Sequence, residues 1–373
     1  MMGRALVLGR AVRRLTAPNP WVGAVVVREG VVVGEGATRP PGGDHAEIVA
    51  LAEAGERARG ATLFTTLEPC SHHGATGPCV DAVIAAGVSR VVTAIADPDT
   101  RVAGRGHAAL RAAGIAVDVG VGAQQAADDL APYIVHRREG RSFAVLKVAT
   151  SLDGRVAAAD GASRWITGTE ARADAHERRA DSQAILIGSG TALADSPALT
   201  VRDASGPTGA PPLRVLLDGR GRVPATGALF DTALTPTLVF TTDRASAAIR
   251  EAWKAAGAEV ETAGDGTSSD LAAVLARLGR RGVLQTLIEG GPTVHAAFLE
   301  AGLVDRIVAY VAPVVLGAGG RAGYGLDPGP ALADSTRYRL IRIAALGDDA
   351  CLEYEPAEPA VSGTSPSRSE SSP

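Results

Sequence analysis

Residues 67–79 read LEPCSHHGATGPC. Cys70 comes shortly after an apolar, strand-like segment, 61–67, and the segment Cys79–Ala86 has helical spacing. Upstream, the Val-rich run WVGAVVVREGVVVGE from Trp21 to Glu35 predicts a β-hairpin. Strand and helix patterns alternate around this stretch up to residue 120, which predicts an α/β layered domain.

Three zinc-binding residue types stand at the ends of these predicted elements. His45 opens the predicted helix 44–59, Cys70 ends a strand and Cys79 opens the next helix. One imidazole and two thiolates form a catalytic zinc set that leaves a fourth position for water, whose pKa the metal lowers. The N-terminus of a helix also favours the thiolate form of Cys79. The pattern therefore predicts zinc held by His45, Cys70 and Cys79.

Glu47 lies two residues beyond His45, close to the predicted metal. In zinc deaminases such a glutamate moves protons between the water, the ring nitrogen and the departing amine. An alternative stays open, because Asp44 and Glu47 also have the spacing of a capping box. The histidines of the intervening loop, His72 and His73, are either substrate contacts or competing metal ligands.

Composition bounds the class of substrate. The formal net charge of −4 gives no general basic field for a phosphate backbone, which disfavours a nucleic-acid partner. Eight residues separate the two cysteines, against two in the base-deaminase signature, and this longer polar loop favours a small phosphate-bearing substrate.

Three cysteines are too few for a disulfide framework. We find no apolar run of membrane-spanning length and no signal peptide, so we expect a cytoplasmic protein with no membrane partner.

The length of 373 residues predicts two domains. A basic, irregular stretch at 133–141 precedes a new apolar strand at 143–149, so we place the first domain at 1–142 and a second α/β domain at 143–357. Residues 358–373 have almost nothing to bury and are predicted to be a disordered tail. Further strands of the second domain are predicted at 184–188, 213–218, 237–241, 284–289, 306–311 and 351–354.

Together, these motifs resemble the bifunctional riboflavin-biosynthesis deaminase-reductase family over nearly the whole chain. The resemblance implies a cytidine-deaminase-like domain followed by a dihydrofolate-reductase-like domain, with Zn²⁺ and NADPH as cofactors and a homo-oligomeric assembly. It implies hydrolytic deamination of 2,5-diamino-6-ribosylamino-4(3H)-pyrimidinone 5′-phosphate, followed by reduction of the ribosyl group to a ribityl chain. The matching stretches are PNPWVG (18–23), HAE (45–47), LEPCSHHG (67–74), VAGRG (102–106), Lys147, SLDGR (151–155), WIT (165–167), LADSPALTVR (193–202) and EGGPT (289–293).

The resemblance also assigns roles to individual residues. Lys147 and Asp195 would be the catalytic polar pair near the ribose, although a strand-edge charge and a helix cap are their simpler interpretations. Asn19 would bind the pyrimidine, with a turn residue between two prolines as the alternative. The other implied substrate contacts are His72, Ser163, Arg179, Leu199, Arg202 and Glu289. The implied cofactor contacts are Ala149, Trp165, Thr191, Asp195, Gly291, Pro292, Thr293, Val294, His295, Ala296 and Ala297.

Two other functions compete with this interpretation. A nucleic-acid base deaminase with an appended binding domain predicts a basic groove, which the net charge disfavours. A non-catalytic zinc- and nucleotide-binding protein predicts that Glu47 acts only as a helix cap.

Overall fold

The computed structural model describes residues 1–71, 77–99, 103–266, 268–326 and 329–357. Two sheets organise it, and the chain passes from the first sheet to the second directly after residue 142. The α/β class predicted for both halves is confirmed. No helix within these ranges combines the length and the apolar character needed to cross a membrane.

The first sheet has the strand order β2-β1-β3-β4-β5, with β1 antiparallel to β2 and β3, and β3, β4 and β5 parallel. Its strands are β1 (Gly23–Arg28), β2 (Val31–Ala37), β3 (Thr62–Leu67), β4 (Arg90–Ile95) and β5 (Ala116–Val119). The accompanying helices are α1 (Met2–Ala11), α2 (Ala46–Ala54), α3 (Cys79–Ala85), α4 (Arg105–Ala112), α5 (Ala123–Asp129) and α6 (Ala131–Glu139).

Helix α2 lies unusually close to strand β2 because glycines face it. A Cβ atom on Gly36 would lie 2.3 Å from the Ala46 carbonyl oxygen, and one on Gly34 would lie 2.2 Å from the Ala50 oxygen. The hairpin before α2 turns at Glu29-Gly30, where both φ angles are positive, 50° and 81°, as a tight two-residue turn requires. These backbone features hold the N-terminus of α2 beside the sheet.

The second sheet has the order β11-β10-β9-β8-β12-β6-β13-β16-β15, parallel from β11 to β13 and antiparallel at β16 and β15. Its strands are β6 (Phe143–Ser151), β8 (Ala184–Gly188), β9 (Leu213–Leu217), β10 (Thr237–Thr241), β11 (Glu259–Thr262), β12 (Gln285–Ile288), β13 (Arg306–Ala312), β15 (Tyr338–Leu346) and β16 (Asp349–Pro356). A small separate ribbon pairs β7 (Arg155–Ala157) with β14 (Arg321–Ala322). The helices are α7 (Thr169–Ala180), α8 (Ser189–Asp195), α9 (Ala247–Ala255), α10 (Leu271–Arg280) and α11 (Pro292–Glu300).

The prediction of an irregular stretch at 133–141 is wrong, because helix α6 continues to Glu139. The helix begins with Pro132 in its first turn and ends at Gly140 in the left-handed conformation, φ 68°. Tyr133 is buried in the first core and Ile134 packs against that core, and these contacts stabilise a segment that otherwise looks polar. The proposed tail, 358–373, lies outside the described residues.

Candidate active sites

The three predicted zinc ligands come together at one end of the first sheet. His45 caps α2, Cys70 lies three residues beyond β3, and Cys79 is the first residue of α3. The His45 Nδ1 atom lies 3.2 Å from Cys79 Sγ and 3.6 Å from Cys70 Sγ. All three ligand atoms fall within 4.8 Å of one another. One nitrogen and two sulfur donors converging in this way fit a zinc ion.

Hydrogen bonding prepares one of these thiols for metal binding. Contacts from the Cys79 thiol, His45 and the Cys79 backbone lower the pKa of Cys70, against desolvation. The Cys79 N–H donates to Cys70 Sγ over 3.3 Å, so the start of α3 supports the sulfur charge directly. Cys70 is therefore poised as a thiolate.

Glu47 lies against the metal set and forms no capping box with Asp44. The N-cap of α2 is His45, without a side-chain cap bond, so the capping-box alternative is wrong. The Glu47 residue is only 3% exposed, and its carboxyl group interacts with the Cys79 thiol. Burial raises the pKa of Glu47 to about 7. A carboxyl group with this pKa exchanges protons readily near neutral pH.

Glu68 supports this site, although the sequence alone indicated no role for it beyond its place in the LEPCSHHG motif. Its side chain is fully buried and accepts backbone N–H groups from Asp97 at 3.1 Å, Gly104 at 2.9 Å and His107 at 3.1 Å. Close packing joins the same segments, since a Cβ on Gly106 would lie 2.2 Å from the Pro69 oxygen. Glu68 thus fixes the chain just before Cys70 to the end of β4 and the start of α4.

The remaining predicted residues of the deaminase half are Asn19 and His72. Asn19 is half-buried in the turn between α1 and β1, where its N–H donates to the Thr16 carbonyl over 2.7 Å. Trp21, two residues further along, is buried in the first core. His72 lies outside the described residues, as does His73. The pyrimidine-binding role of Asn19 stays a prediction.

A cavity of about 1620 Å³ lies along the carboxyl ends of the parallel strands of the second sheet. This is where open α/β sheets bind ligands. Its lining includes all the residues predicted for the reductase half except Ala296, which is buried in α11 behind it. Those brought to the cavity are Lys147, Ala149, Ser163, Trp165, Arg179, Thr191, Asp195, Leu199, Arg202, Glu289, Gly291, Pro292, Thr293, Val294, His295 and Ala297.

Ionised groups cluster at the β6 and β12 end of this cavity. Arg179 forms a bidentate ion pair with Glu289, with N–O distances of 2.6 and 2.8 Å. Burial opposes ionisation of Glu289, but the Arg179 guanidinium outweighs it and lowers the pKa of the carboxyl to about 2. Burial, together with nearby Arg179, lowers the pKa of Lys147, whose Nζ lies 5.8 Å from the ring centroid of Tyr310. Lys147 is thus readier to release a proton than an exposed lysine.

Asp195 and Trp165 occupy more open parts of the lining. Asp195 is exposed at the last residue of α8, where its carbonyl accepts from Arg164 over 3.4 Å. Trp165 is 70% exposed, and the Arg172 guanidinium stacks 4.7 Å from its ring centroid. An exposed aromatic face at a cavity mouth is available to stack on a ring of a bound ligand.

The glycines before α11 act through packing. Gly290 and Gly291 have no positive φ, but a Cβ on Gly290 would lie 2.8 Å from a methyl carbon of Val294. The turn into α11 is therefore tight, and the N-terminus of the helix reaches the cavity at Pro292 and Thr293.

His176, on α7, also lines the cavity, and sequence reasoning missed it. Its Nδ1 accepts the Arg202 backbone N–H at 3.3 Å. Its spacing of three residues from Arg179 on one helix was the available signal, since such residues share a face.

Comparisons with known proteins match each half of the chain to a family. The family model described as the cytidine and deoxycytidylate deaminase zinc-binding region matches residues 1–95, and the RibD C-terminal domain matches 142–352. The riboflavin biosynthesis protein RibD of Aquifex aeolicus is 39% identical over 95% of this chain and 97% of that protein.

Solved structures give the same result. Acinetobacter baumannii RibD, form 1, is 37% identical, with a TM-score of 0.85 over 96% of this chain and 98% of that one. A deaminase/reductase from Thermotoga maritima is 31% identical, with a TM-score of 0.82 over 95% and 97% of the two chains. The cytidine-deaminase-like and dihydrofolate-reductase-like folds implied by the sequence are confirmed. The chain therefore belongs to the RibD family of bifunctional riboflavin-biosynthesis enzymes, with a zinc-dependent deaminase domain followed by an NADPH-dependent reductase domain.

Proposed function

We propose that this enzyme deaminates 2,5-diamino-6-ribosylamino-4(3H)-pyrimidinone 5′-phosphate and then reduces the ribosyl group of the product to a ribityl chain. The observation that carries the proposal is the presence of two complete sets of reactive residues in one chain. One is the His45, Cys70 and Cys79 set beside Glu47, and the other is the charged end of the second cavity. The Thermotoga maritima relative is titled a diaminohydroxyphosphoribosylaminopyrimidine deaminase and 5-amino-6-(5-phosphoribosylamino)uracil reductase.

In the first site, the chain's own residues bind the substrate and carry protons. Zinc held by His45, Cys70 and Cys79 would supply Lewis-acid activation of water. As the water oxygen bonds to the carbon that bears the 2-amino group, Glu47 takes the first water proton and delivers it to the ring nitrogen. Glu47 then moves the remaining hydroxyl proton to the amine, so that the C–N bond breaks and ammonia leaves. Asn19 orients the pyrimidine by hydrogen bonding.

In the second site, charged groups bind the ribotide and protonate it. NADPH would supply the hydride for C1′ of the ribose. Lys147 holds a proton for the ring oxygen, whose bond to C1′ breaks, and Asp195 completes the polar pair at the sugar. Arg179 and Arg202 lie where forked hydrogen bonds can hold a phosphate. The Arg179–Glu289 ion pair fixes the guanidinium in this orientation.

The remaining substrate and cofactor contacts follow the cavity lining. Ser163, Leu199 and Glu289 face the ribotide in this proposal, and His72 contacts it in the first site. Ala149, Trp165 and Thr191, with residues 291–297, hold the cofactor. We place the domain boundary at residue 142, and propose a cytoplasmic homo-oligomer that has no nucleic-acid or membrane partner.

The decisive experiment follows ammonia release and NADPH absorbance after the diaminopyrimidinone ribotide is added to zinc-loaded enzyme. We expect ammonia without NADPH, and NADPH oxidation once the cofactor is supplied. Ammonia alone would limit the proposal to the first site, and neither signal would overturn it. Single-stranded DNA serves as a competing substrate, because its deamination would favour the base-deaminase alternative.

Glu47→Gln separates catalysis from a purely structural zinc site. The amide keeps the size of the side chain but cannot carry the proton, so we expect ammonia release to fall by about 10²–10⁴-fold with zinc content unchanged. Wild-type turnover with zinc bound would show that Glu47 has no acid–base role.

A further inference from the structure

We infer that Arg14, in the turn three residues after helix α1 of the deaminase half, is a positioning residue for the reductase, because it holds the loop 199–205 against helix α7. This inference rests on the proposed function in one respect, which is that Arg202 and its neighbours in this loop bind the ribotide. It assigns to the deaminase half a part in the second reaction.

Arg14 makes three contacts across the boundary between the two halves. Its Nη2 lies 2.6 Å from Glu177 Oε2, its Nε lies 2.6 Å from Asp181 Oδ1, and its Nη1 donates to the Ser205 carbonyl over 2.5 Å. Its side chain is 13% exposed. A guanidinium that is this buried and satisfied on three sides has little freedom to move.

The loop that Arg14 touches is tied to α7 at three successive points. Arg179 Nη1 donates to the Thr200 carbonyl at 3.0 Å, and the Arg202 N–H donates to His176 at 3.3 Å. The Ser205 N–H donates to Glu177 Oε1 at 2.6 Å. Arg14 thus binds both the end of the loop and the carboxylate that anchors it.

The loop does not adopt this shape from its own backbone preferences. Leu199 and Asp203 have positive φ angles of 51° and 53°, a region that side-chain-bearing residues rarely adopt. Such conformations persist where the surroundings impose them. Further along the chain, a Cβ on Gly209 would lie 2.0 Å from the Arg14 carbonyl oxygen, so the segment after the loop also packs directly on Arg14.

The segment around Arg14 is itself anchored on both sides of the boundary between the two halves. Arg13 donates to Gln285 over 2.7 Å and lies 4.9 Å from the ring centroid of the buried Trp21. Asn19, the proposed pyrimidine-binding residue, follows Arg14 by five positions. One short segment therefore supports substrate contacts in both halves, and a reductase half without residues 1–142 would lack this support.

The test compares Arg14→Gln and Arg14→Lys with Arg10→Gln in the full-length, zinc-loaded enzyme. Arg10 is the matched control, because it lies four residues before Arg14, is 45% exposed, and forms its ion pair at 2.6 Å with Asp129 of α5, within the deaminase half. The substrate for kinetics is the already deaminated ribotide, so that the reductase is measured alone. Hydrogen exchange of the peptide 199–209 is measured without substrate or cofactor.

We expect Arg14→Gln to raise KM for the ribotide about tenfold, because only a fraction of the molecules would hold the loop in its binding conformation. The values of kcat, KM for NADPH and ammonia release should stay within about twofold of wild type. Exchange in 199–209 should become faster, while exchange in β6 and β12 should not change. Arg14→Lys keeps the charge but cannot make all three contacts. Its ribotide KM and its exchange in 199–209 should lie between those of wild type and Arg14→Gln.

Two results would overturn the inference. One is an Arg14→Gln variant whose ribotide KM and loop exchange match those of Arg10→Gln. The other is a variant with faster exchange throughout the reductase half and a fall in kcat, which would show a general structural role. If wild-type enzyme fails to oxidise NADPH with this ribotide, the proposed function fails, whereas the exchange of 199–209 still decides whether Arg14 orders the loop.

Discussion

Removing the carboxylate of Glu68 should destabilise the deaminase half more than any change of an exposed charge. Glu68→Ala leaves the backbone N–H groups of Asp97, Gly104 and His107 without their acceptor. The Glu68 residue is 3% exposed, so water does not readily replace it. The loss therefore falls at once on two buried donors, those of Asp97 and His107, and on the half-buried donor of Gly104.

The magnitude follows from the number of donors. Each unsatisfied buried group costs about 1–3 kcal/mol, and partial relaxation brings the sum for Glu68→Ala to about 3–6 kcal/mol. In Glu68→Gln, one amide oxygen can still accept the two N–H groups that share Oε2, those of Asp97 and Gly104. The amide NH₂ then faces the His107 N–H, so we expect a smaller loss of about 1–3 kcal/mol.

Zinc release during a urea titration measures this loss in the correct half of the protein, because the metal set lies only there among the described residues. A chromogenic chelator at one fixed concentration reports release for every variant. With a slope near 2 kcal/mol per molar urea, the midpoint should fall by about 1.5–3 M for Glu68→Ala and about 0.5–1.5 M for Glu68→Gln.

Glu53→Ala provides the matched control. Glu53 also accepts a backbone N–H, from Glu35 at 2.8 Å, but at an exposed position where water can take its place. Its midpoint should move by less than about 0.3 M, a loss of roughly 0.5 kcal/mol or less. Equal midpoints for Glu68→Ala and Glu53→Ala would refute the reasoning from buried N–H groups.

Three further changes test other parts of the structure. Cys70→Ser should abolish zinc binding and ammonia release but leave NADPH oxidation with deaminated ribotide within about twofold, as metal analysis and parallel assays would show. Glu289→Gln removes the partner of buried Arg179 and should lower reductase kcat/KM by more than about tenfold, with ammonia release unchanged in the same preparation. Burial raises the pKa of Asp97 from 3.8 to about 6, so its ionisation costs stability as pH rises from about 4 to 6. Over that window Asp97→Asn should gain on wild type by no more than about 3 kcal/mol, and a pH-independent difference in Tm would contradict this.

Most strands of the two sheets could be predicted because they are short apolar runs between turn residues. Strand β15 was missed, since its residues read YRLIRIAAL and it lies at the sheet edge. Leu340 and Ile343 are 47% and 68% exposed, so burial does not sort its faces into an apolar and a polar side. Edge position weakens the alternation on which strand prediction depends.

The metal site was predictable and Glu68 was not, for a physical reason. His45, Cys70 and Cys79 carry their chemistry in their residue types, and the ends of predicted elements place them. The role of Glu68 depends on backbone N–H groups 29 to 39 residues further along the chain. Backbone donors have no side-chain signature, so only the folded structure brings them into view.

Glu47 and Glu289 show how the fold gives one residue type two uses. Both are largely buried, but Glu47 lies beside thiols and an imidazole, and burial raises its pKa to about 7. Glu289 receives two N–H groups from Arg179, and its pKa falls to about 2 despite burial. The first carboxyl can gain and lose a proton near neutral pH, whereas the second stays ionised and orients an arginine. Replacement by glutamine should therefore cost the first site its proton transfer and the second site its substrate-binding geometry, although the chemical change is the same.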